Sequence, residues 1–303
     1  MTVETFIPAY LKMDPDELQA RVAKLGQLAS PCNLCPRGCG SCRKEGEKGY
    51  CDTGYLPVVS SVHPHHGEER PLSGTRGSGT IFLTNCNLGC IFCQNYDISH
   101  LGGGQTISVR ELASAMLSLQ QSGCHNINFV TPSHQVHSIV EAISLAIQDG
   151  LRLPLVYNTG GYDSIETLKL LEDIVDIYMP DLKFTDPRTA DVLADAADYP
   201  EVIVKAVREM HRQVGDLETD ENGIARRGLL VRHLVLPGGL AGSQEAFRFL
   251  SEEISTNTYL NVMAQYRPCH GAVGQPVIGD RLQRYDYLDA LDLARKWGLK
   301  RLD

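Results

Sequence analysis

Cys86, Cys90 and Cys93 form a C-x3-C-x2-C triplet in the run Thr84-Asn85-Cys86-Asn87-Leu88-Gly89-Cys90-Ile91-Phe92-Cys93-Gln94-Asn95, directly after the apolar segment Ile81-Phe82-Leu83. Three thiolates in one short loop can ligate three irons of a four-iron cluster and leave the last iron with an open position. Such a vacancy is what separates a catalytic metal site from a closed structural one. Phe92, just before the third cysteine, is placed to shield the cluster and cover a flat ligand. The competing readings are a zinc knuckle lacking its fourth ligand and a set of buried thiols; the strand-to-loop setting and Phe92 argue against both. A disulfide framework suits small secreted scaffolds, whereas 303 residues supply a large core of their own.

A second group, Cys32, Cys35, Cys39, Cys42 and Cys51, precedes the first by some distance and sits among Pro31, Pro36, Gly38, Gly40, Gly46 and Gly49. This loop-rich knob has almost no apolar residues to fold around, so the expectation is that a metal organises it. Four of the five thiols would ligate either tetrahedral zinc or an auxiliary iron-sulfur cluster, and spacing alone does not choose between them. Of the two isolated cysteines, Cys124 reads as packing at the start of a buried strand. Cys269, beside His270, is expected near the active face.

The formal charge of −9 and a pI near 5.6 leave no broad basic footprint, which disfavours nucleic acid as a partner. The one dense basic stretch, Arg43-Lys44 to Lys48, is interrupted by Glu45 and Glu47 and reads as a solvated loop. Met1 to Phe6 show neither a basic patch nor an apolar leader core, and no apolar run approaches a membrane span. The expectation is a cytoplasmic protein with no membrane partner.

From residue 79 the chain alternates β-rich runs with amphipathic segments, the signature of parallel βα units. Strands are predicted near 79–84, 127–131, 154–158, 175–180, 229–236 and 259–265. Helices are predicted over 108–122, opened by a Ser108/Glu111 capping box, and over 134–149, 164–173, 200–214 and 243–256. The fold class is therefore α/β, a partial (β/α)6 barrel with a small N-terminal Cys-rich annex. Its parts are 1–78, containing a helix opened by Pro15, the knob and a linker; 79–275, the core; and 276–303, a closing helix over 284–297. Barrels of this kind gather active-site groups at the C-terminal strand ends, and the Cys86–Cys93 loop follows the first strand.

These residues resemble the radical S-adenosylmethionine superfamily, whose motif is C-x3-C-x-aromatic-C. Across nearly the whole chain the sequence is similar to proteins described as homologues of the pyruvate formate-lyase activating enzyme. The matching stretches are Cys32-Asn33-Leu34-Cys35-Pro36-Arg37, Leu72-Ser73-Gly74, Cys90 to Tyr96, Asn126 to His134, Asp176 to Lys183, Arg232 to Gly238 and Met263 to Pro268. The resemblance implies a 4Fe-4S cluster on Cys86, Cys90 and Cys93, S-adenosyl-L-methionine (SAM) as cofactor, and a one-electron donor such as flavodoxin or ferredoxin. It also implies cofactor-binding roles for Phe92, Asn95, Thr131, Ser133, Asn158, Thr159 and Asp181, and catalytic roles for Asp181, Lys183 and Arg267.

Three departures and two neighbouring groups qualify that pattern. Thr131-Pro132-Ser133-His134 stands where activating enzymes carry Gly-Gly-Glu for the methionine ammonium, and its carbonyls and hydroxyls would have to accept instead. Asn158-Thr159 and Met179 with Asp181 resemble a monovalent-cation site, with Asn158 in place of a carboxylate that hard cations prefer. Arg267 stands where those enzymes end the last strand with a histidine, and its guanidinium suits a carboxylate of cofactor or substrate. Of Arg232 and His233, strand alternation allows only one to face the barrel interior. His63, His65 and His66 with Glu68 and Glu69 read either as a proton-transfer or metal group or as a solvated linker. The leading expectation is an enzyme that reductively cleaves SAM to a 5'-deoxyadenosyl radical for hydrogen abstraction from a glycyl-radical enzyme, another protein or a small molecule. The alternative is an iron-sulfur or zinc scaffold, or a redox sensor, without turnover.

Overall fold

The computed structural model describes residues 6–303, so the leader reading of Met1 to Thr5 lies outside the described residues. Ten strands are present among the described residues: β1 (Val58–His65), β2 (Ser78–Leu83), β3 (Gln105–Thr106), β4 (Ile127–Val130), β5 (Leu155–Thr159), β6 (Ile177–Pro180), β7 (Glu218–Thr219), β8 (Ala225–Leu234), β9 (Tyr259–Met263) and β10 (Arg301–Leu302). They join in the order β10-β9-β8-β6-β5-β4-β2-β1-β3, with β7 on β8. The six predicted strands are β2, β4, β5, β6, β8 and β9, and each pairs in parallel with the next. The sheet is not closed by backbone hydrogen bonds, because β3 and β10 are its two edges.

Both faces of the parallel strands are covered, which explains their nearly continuous apolar runs. Ile127, Phe129, Tyr157, Tyr178 and Val231 belong to the main core, packed under the helices. Val156, Ile177, Met179, Leu230 and Ala225 form a smaller cluster with Leu72 and Leu217 on the inner face. Those inner residues occupy mostly early strand positions. Later positions on the same face, Asn158, Asp181 and Arg232, carry polar groups instead.

The helices start where the caps direct them. Asp14 caps Pro15–Leu28, and the Ser108/Glu111 capping box opens Val109–Gln121. The predicted helix over 134–149 begins only at Val136, because His134 and Gln135 spend their side chains on the Thr84 carbonyl at 2.9 Å each. The helix predicted over 164–173 covers only Ile165–Leu170, and Asp173 just beyond it takes a positive φ of 58°. Segment 243–256 is α-helical over Ser243–Phe249 and continues as a π-helical turn, Leu250–Ile254. The strand near 175–180 begins at Ile177, since Asp176 turns its carboxylate to the backbone N–H groups of Ala9 and Leu155 at 2.9 and 3.0 Å. Cys124 lies before β4, not in it, and is buried in the core.

Of the two readings of His63, His65 and His66 with Glu68 and Glu69, the solvated linker gives way in part to a strand. His63 and His65 belong to β1, which runs antiparallel to β2, and both rings pack on Phe82. Pro64 and two histidines disguise the strand, and the proline is tolerated because β1 meets β3 only at Val58 and Val59. A further helix, Pro187–Ala194 capped by Asp186, lies between β6 and Tyr199–Val214. Among the described residues no helix is long and apolar enough to cross a membrane.

Gly79 opens the strand that carries the triplet. A Cβ there would meet the Asn126 carbonyl at 2.6 Å and the Cys124 and Leu119 Cβ atoms at 3.1 Å each. Gly79→Ala should therefore overpack the β2 and β4 junction and destabilise the fold by about 1 to 3 kcal/mol. The check is the urea midpoint, with an unchanged midpoint counting against this packing.

Candidate active site

The triplet loop leaves β2 through Asn85, whose φ of 69° is left-handed, a conformation that Asn tolerates better than most residues. Two of its N–H groups anchor it from outside: Gly89 donates to Ala194 O at 3.0 Å and Ile91 to Leu193 O at 2.9 Å. Both acceptors are terminal carbonyls of Pro187–Ala194, which have no partner within their own helix. On the inner side the Leu88 N–H points at Cys86 Sγ at 3.3 Å, and Cys93 Sγ lies 3.1 Å from Ser99 Oγ. The Cys269 thiol donates to the Phe92 and Cys93 carbonyls at 3.2 and 3.3 Å, and His100 Nε2 lies 3.0 Å from Cys90 O.

Cys86, Cys90 and Cys93 line a cavity of about 240 Å3 at the C-terminal ends of the parallel strands. Around them stand Asn95, Thr131, Asn158, Thr159, Asp181, Lys183, Arg232 and Gln265. A larger hollow of about 470 Å3 beside the first helix, lined by Lys12, Glu17 and Arg227, gathers no thiols, so volume does not locate the chemistry. Burial pushes the Cys86 and Cys90 thiols up, Cys90 to about 11 with Lys183 pulling it back. Left alone they stay protonated; an iron core would draw them into the thiolate form. Three soft donors facing one cavity, none of them in a disulfide, fit a four-iron cluster with an open iron.

A part-buried ion network forms the wall of the cavity. Asp181 accepts from Lys183 Nζ at 2.6 Å and from Arg232 Nε at 2.7 Å. Arg232 also donates to Asn158 Oδ1 at 2.8 Å and approaches Glu68 and Glu69 at 3.7 and 3.9 Å. Burial works against the Asp181 charge, yet Arg232 and Lys183 hold its carboxylate below the usual range. The guanidinium thus places a covalently attached positive charge between Asn158 and Asp181. Glu69 is tied across to Asn261 on β9 at 2.9 Å, and its other oxygen has no partner. Tyr199 OH accepts the Lys183 N–H at 3.1 Å and lies 2.6 and 2.9 Å from the Asp181 and Gly160 carbonyls, which locks the ends of β5 and β6.

The remaining candidates separate by position. Thr131 lines the cavity in a left-handed conformation, φ 60°, strained for a β-branched residue. Ser133 does not line it: its hydroxyl lies 3.1 Å from Thr159 Oγ1, which donates to the buried Asp163 at 2.6 Å. Phe92 borders the cavity with its ring packed edge-on against Phe184 and Tyr266 at 5.9 and 6.1 Å. Arg267 is exposed and outside the cavity lining, where Gln265 stands instead. Strand alternation turns Arg232 inward and His233 outward, where His233 bonds Leu182 O and Ser243 Oγ at 2.8 and 2.9 Å. Asp163, Ser99, His100 and Gln265 have no local pattern that marks them, because each acts through a contact distant in sequence or through a surrounding loop.

In the N-terminal knob, Arg37 donates to Asn87 O at 3.0 Å and packs over the Tyr50 ring at 3.7 Å, which ties the knob to the triplet loop. Cys35 meets the Asn87 side chain, and Asn87 immediately follows Cys86.

The radical SAM superfamily model matches residues 80–219. Uncharacterized protein MJ0674 of Methanocaldococcus jannaschii is 31% identical over 300 residues, spanning 96% of this chain and 81% of its own length. A radical SAM methyltransferase from Sphaerobacter thermophilus aligns at TM-score 0.47 and 14% identity over 74% of this chain and 65% of its own. HydG, a maturase of the FeFe-hydrogenase, aligns at TM-score 0.50 and 11% identity over 97% of this chain and 64% of its own. The chain thus spans slightly less than two thirds of each of these two solved structures.

Glu68 supplies a pH test of the network. Burial, opposed by Arg232 and aided by Glu69, raises its carboxyl from the ordinary 4.5 to about 7. The folded state then holds a proton that the unfolded state has released, so stability falls as pH rises between those two values. Glu68→Gln, which mimics the protonated form, should flatten this part of the profile and gain on the wild type as pH increases. Denaturant titrations at several pH values decide; parallel profiles for the two proteins would remove Glu68 as the source.

Proposed function

The chain belongs to the radical SAM superfamily, and on that premise we propose that it is an activating-enzyme-like radical enzyme acting on a glycyl-radical protein. The observation that carries the reading is the convergence of Cys86, Cys90 and Cys93 with Asp181, Lys183 and Arg232 on one cavity. Superfamily membership implies a 4Fe-4S cluster and SAM, which together supply one-electron carbon-sulfur cleavage and a 5'-deoxyadenosyl radical. The resemblance to activating enzymes supports the choice of substrate and a flavodoxin- or ferredoxin-like donor.

In this reading the protein's own residues hold and orient. The three thiols ligate three irons, and the loop N–H groups fixed by Leu193 and Ala194 keep those sulfurs in place. Asp181 presents a charged acceptor for a ribose hydroxyl or for an ammonium, and Lys183 and Arg232 keep it ionised despite burial. Thr131 and the strand-end carbonyls border the space where the methionine portion would lie. The N-terminal thiols add a second metal centre. A scaffold without turnover would have no use for a largely desolvated wall of charged groups lining this cavity, and desolvating such charge is expensive.

Two measurements test the reading. The Cys86→Ala, Cys90→Ala and Cys93→Ala triple variant should make no 5'-deoxyadenosine from SAM in the presence of dithionite, whereas the reconstituted wild type should; product from the variant would sink the reading. Asp181→Asn should keep the cluster's iron yet weaken SAM binding roughly tenfold or more, the loss of a charged hydrogen bond of about 1.5 to 3 kcal/mol. Equal affinity in equilibrium binding would place Asp181 outside the cofactor site.

A further inference from the structure

The five thiols of the knob are not equivalent. Cys32, Cys35 and Cys51 are buried, at 2, 6 and 6% exposure. Cys32 has the Cys39 and Cys51 thiols beside it, and Cys35 has those of Cys32 and Cys51. Cys39 is exposed but lies beside Cys32. Gly49 makes room for it, since a Cβ at that position would collide with Cys39 Sγ. Cys42 has no such thiol beside it. Its charged neighbours are Glu45 and Glu47, and its N–H donates to Glu47 Oε2 at 2.7 Å.

Arg43 gives an independent indication of what these thiols hold. Its side chain is 2% exposed, yet its partners are the Cys51 sulfur at 3.2 Å and the His134 carbonyl at 2.6 Å, and its Nε has none. A guanidinium buried without a counter-charge is strongly unfavourable. Neutral thiols do not provide that charge, whereas thiolates gathered on a metal centre do.

Position bears on which metal centre it is. Cys35 stands against the Asn87 side chain, and Asn87 follows Cys86, so the knob thiols adjoin the triplet loop. An iron-sulfur cluster there is placed to pass an electron toward that loop, whereas zinc has no redox chemistry.

We propose that Cys32, Cys35, Cys39 and Cys51, without Cys42, hold an auxiliary iron-sulfur cluster whose negative charge is met by Arg43. The inference deepens the second metal centre of the reading above, and it does not depend on SAM cleavage. Cys35 against Asn87 places this centre one side chain away from the Cys86 loop.

The test uses the full-length chain carrying Cys86→Ala, Cys90→Ala and Cys93→Ala, reconstituted anaerobically with iron and sulfide. Iron, sulfide and zinc analysis should find about four irons and four sulfides per chain, with an iron-sulfur paramagnetic signal after dithionite reduction. Adding Cys39→Ala should lower the iron content at least about twofold and abolish that signal, while adding Cys42→Ala should change neither. Neither thiol is part of the apolar core, and circular dichroism checks that both variants keep the fold. Zinc without iron, no metal at all, iron retained in Cys39→Ala, or iron lost in a folded Cys42→Ala would each overturn the proposal. Wild-type protein that makes no 5'-deoxyadenosine would defeat the radical reading and leave these iron counts standing.

Discussion

The position of one buried guanidinium organises the cavity end of the sheet. Strands β6 and β8 pair through only two registered positions, Ile177 with Gly228 and Tyr178 with Leu229, before an isolated bridge joins Asp181 to Arg232. Beyond that point side chains take over. Arg232 joins Asn158 on β5 to Asp181 after β6, and through Glu68 and Glu69 it reaches the segment following β1. Glu69 carries the link to Asn261 on β9, so the unclosed sheet is spanned by charge where backbone pairing is missing. Desolvating so many charges is costly, and the arrangement persists because each charge has a counter-charge or an amide within reach.

The same economy of partners fixes the triplet loop. A helix ends with carbonyls that its own backbone leaves unbonded, and a tight loop has N–H groups that turn away from each other. Here each supplies the other, with Leu193 and Ala194 accepting from Ile91 and Gly89. His134 and Gln135 do the same for the Thr84 carbonyl at the end of β2. The loop is therefore held from both sides by groups that would otherwise be unsatisfied, and three sulfurs are presented to the cavity without relying on a metal to order the backbone.

The parallel strands were legible because burial on both faces writes itself as runs such as Ile127 to Val130 and Ile177 to Met179. The triplet was legible because its chemistry is local, contained in eight residues. What stayed hidden depends on partners far along the chain. Strand β1 carries Pro64 and two polar rings, so its composition reads as linker until β2 pairs with it. The inward choice between Arg232 and His233 could not be made from a stretch flanked by apolar residues on both faces. Arg267, placed by analogy with a histidine, stands in solvent, because the chain turns after Met263 and brings Gln265 to the cavity. The Ser133 hydroxyl, exposed by motif logic, is instead drawn toward the Thr159 and Asp163 pair beneath the strand ends.

Arg232, part-exposed at the cavity, and Arg43, fully buried, both carry charge inside the fold and resolve it differently. Around Arg232 the protein supplies carboxylates: Asp181 in contact, Glu68 and Glu69 nearby, and Lys183 sharing the Asp181 charge. With the Glu68 carboxyl raised to about 7, it carries only part of a charge at neutral pH, and the wall is close to balanced without help from a ligand. Arg43 has no such arrangement; its nearest anionic candidate is a sulfur, and one of its nitrogens bonds nothing. A fold that compensates one interior guanidinium so completely would be inconsistent in leaving another bare. The simplest account of the difference is that the missing charge around Arg43 belongs to thiolates, so the knob and the barrel interior follow one electrostatic rule with different anions.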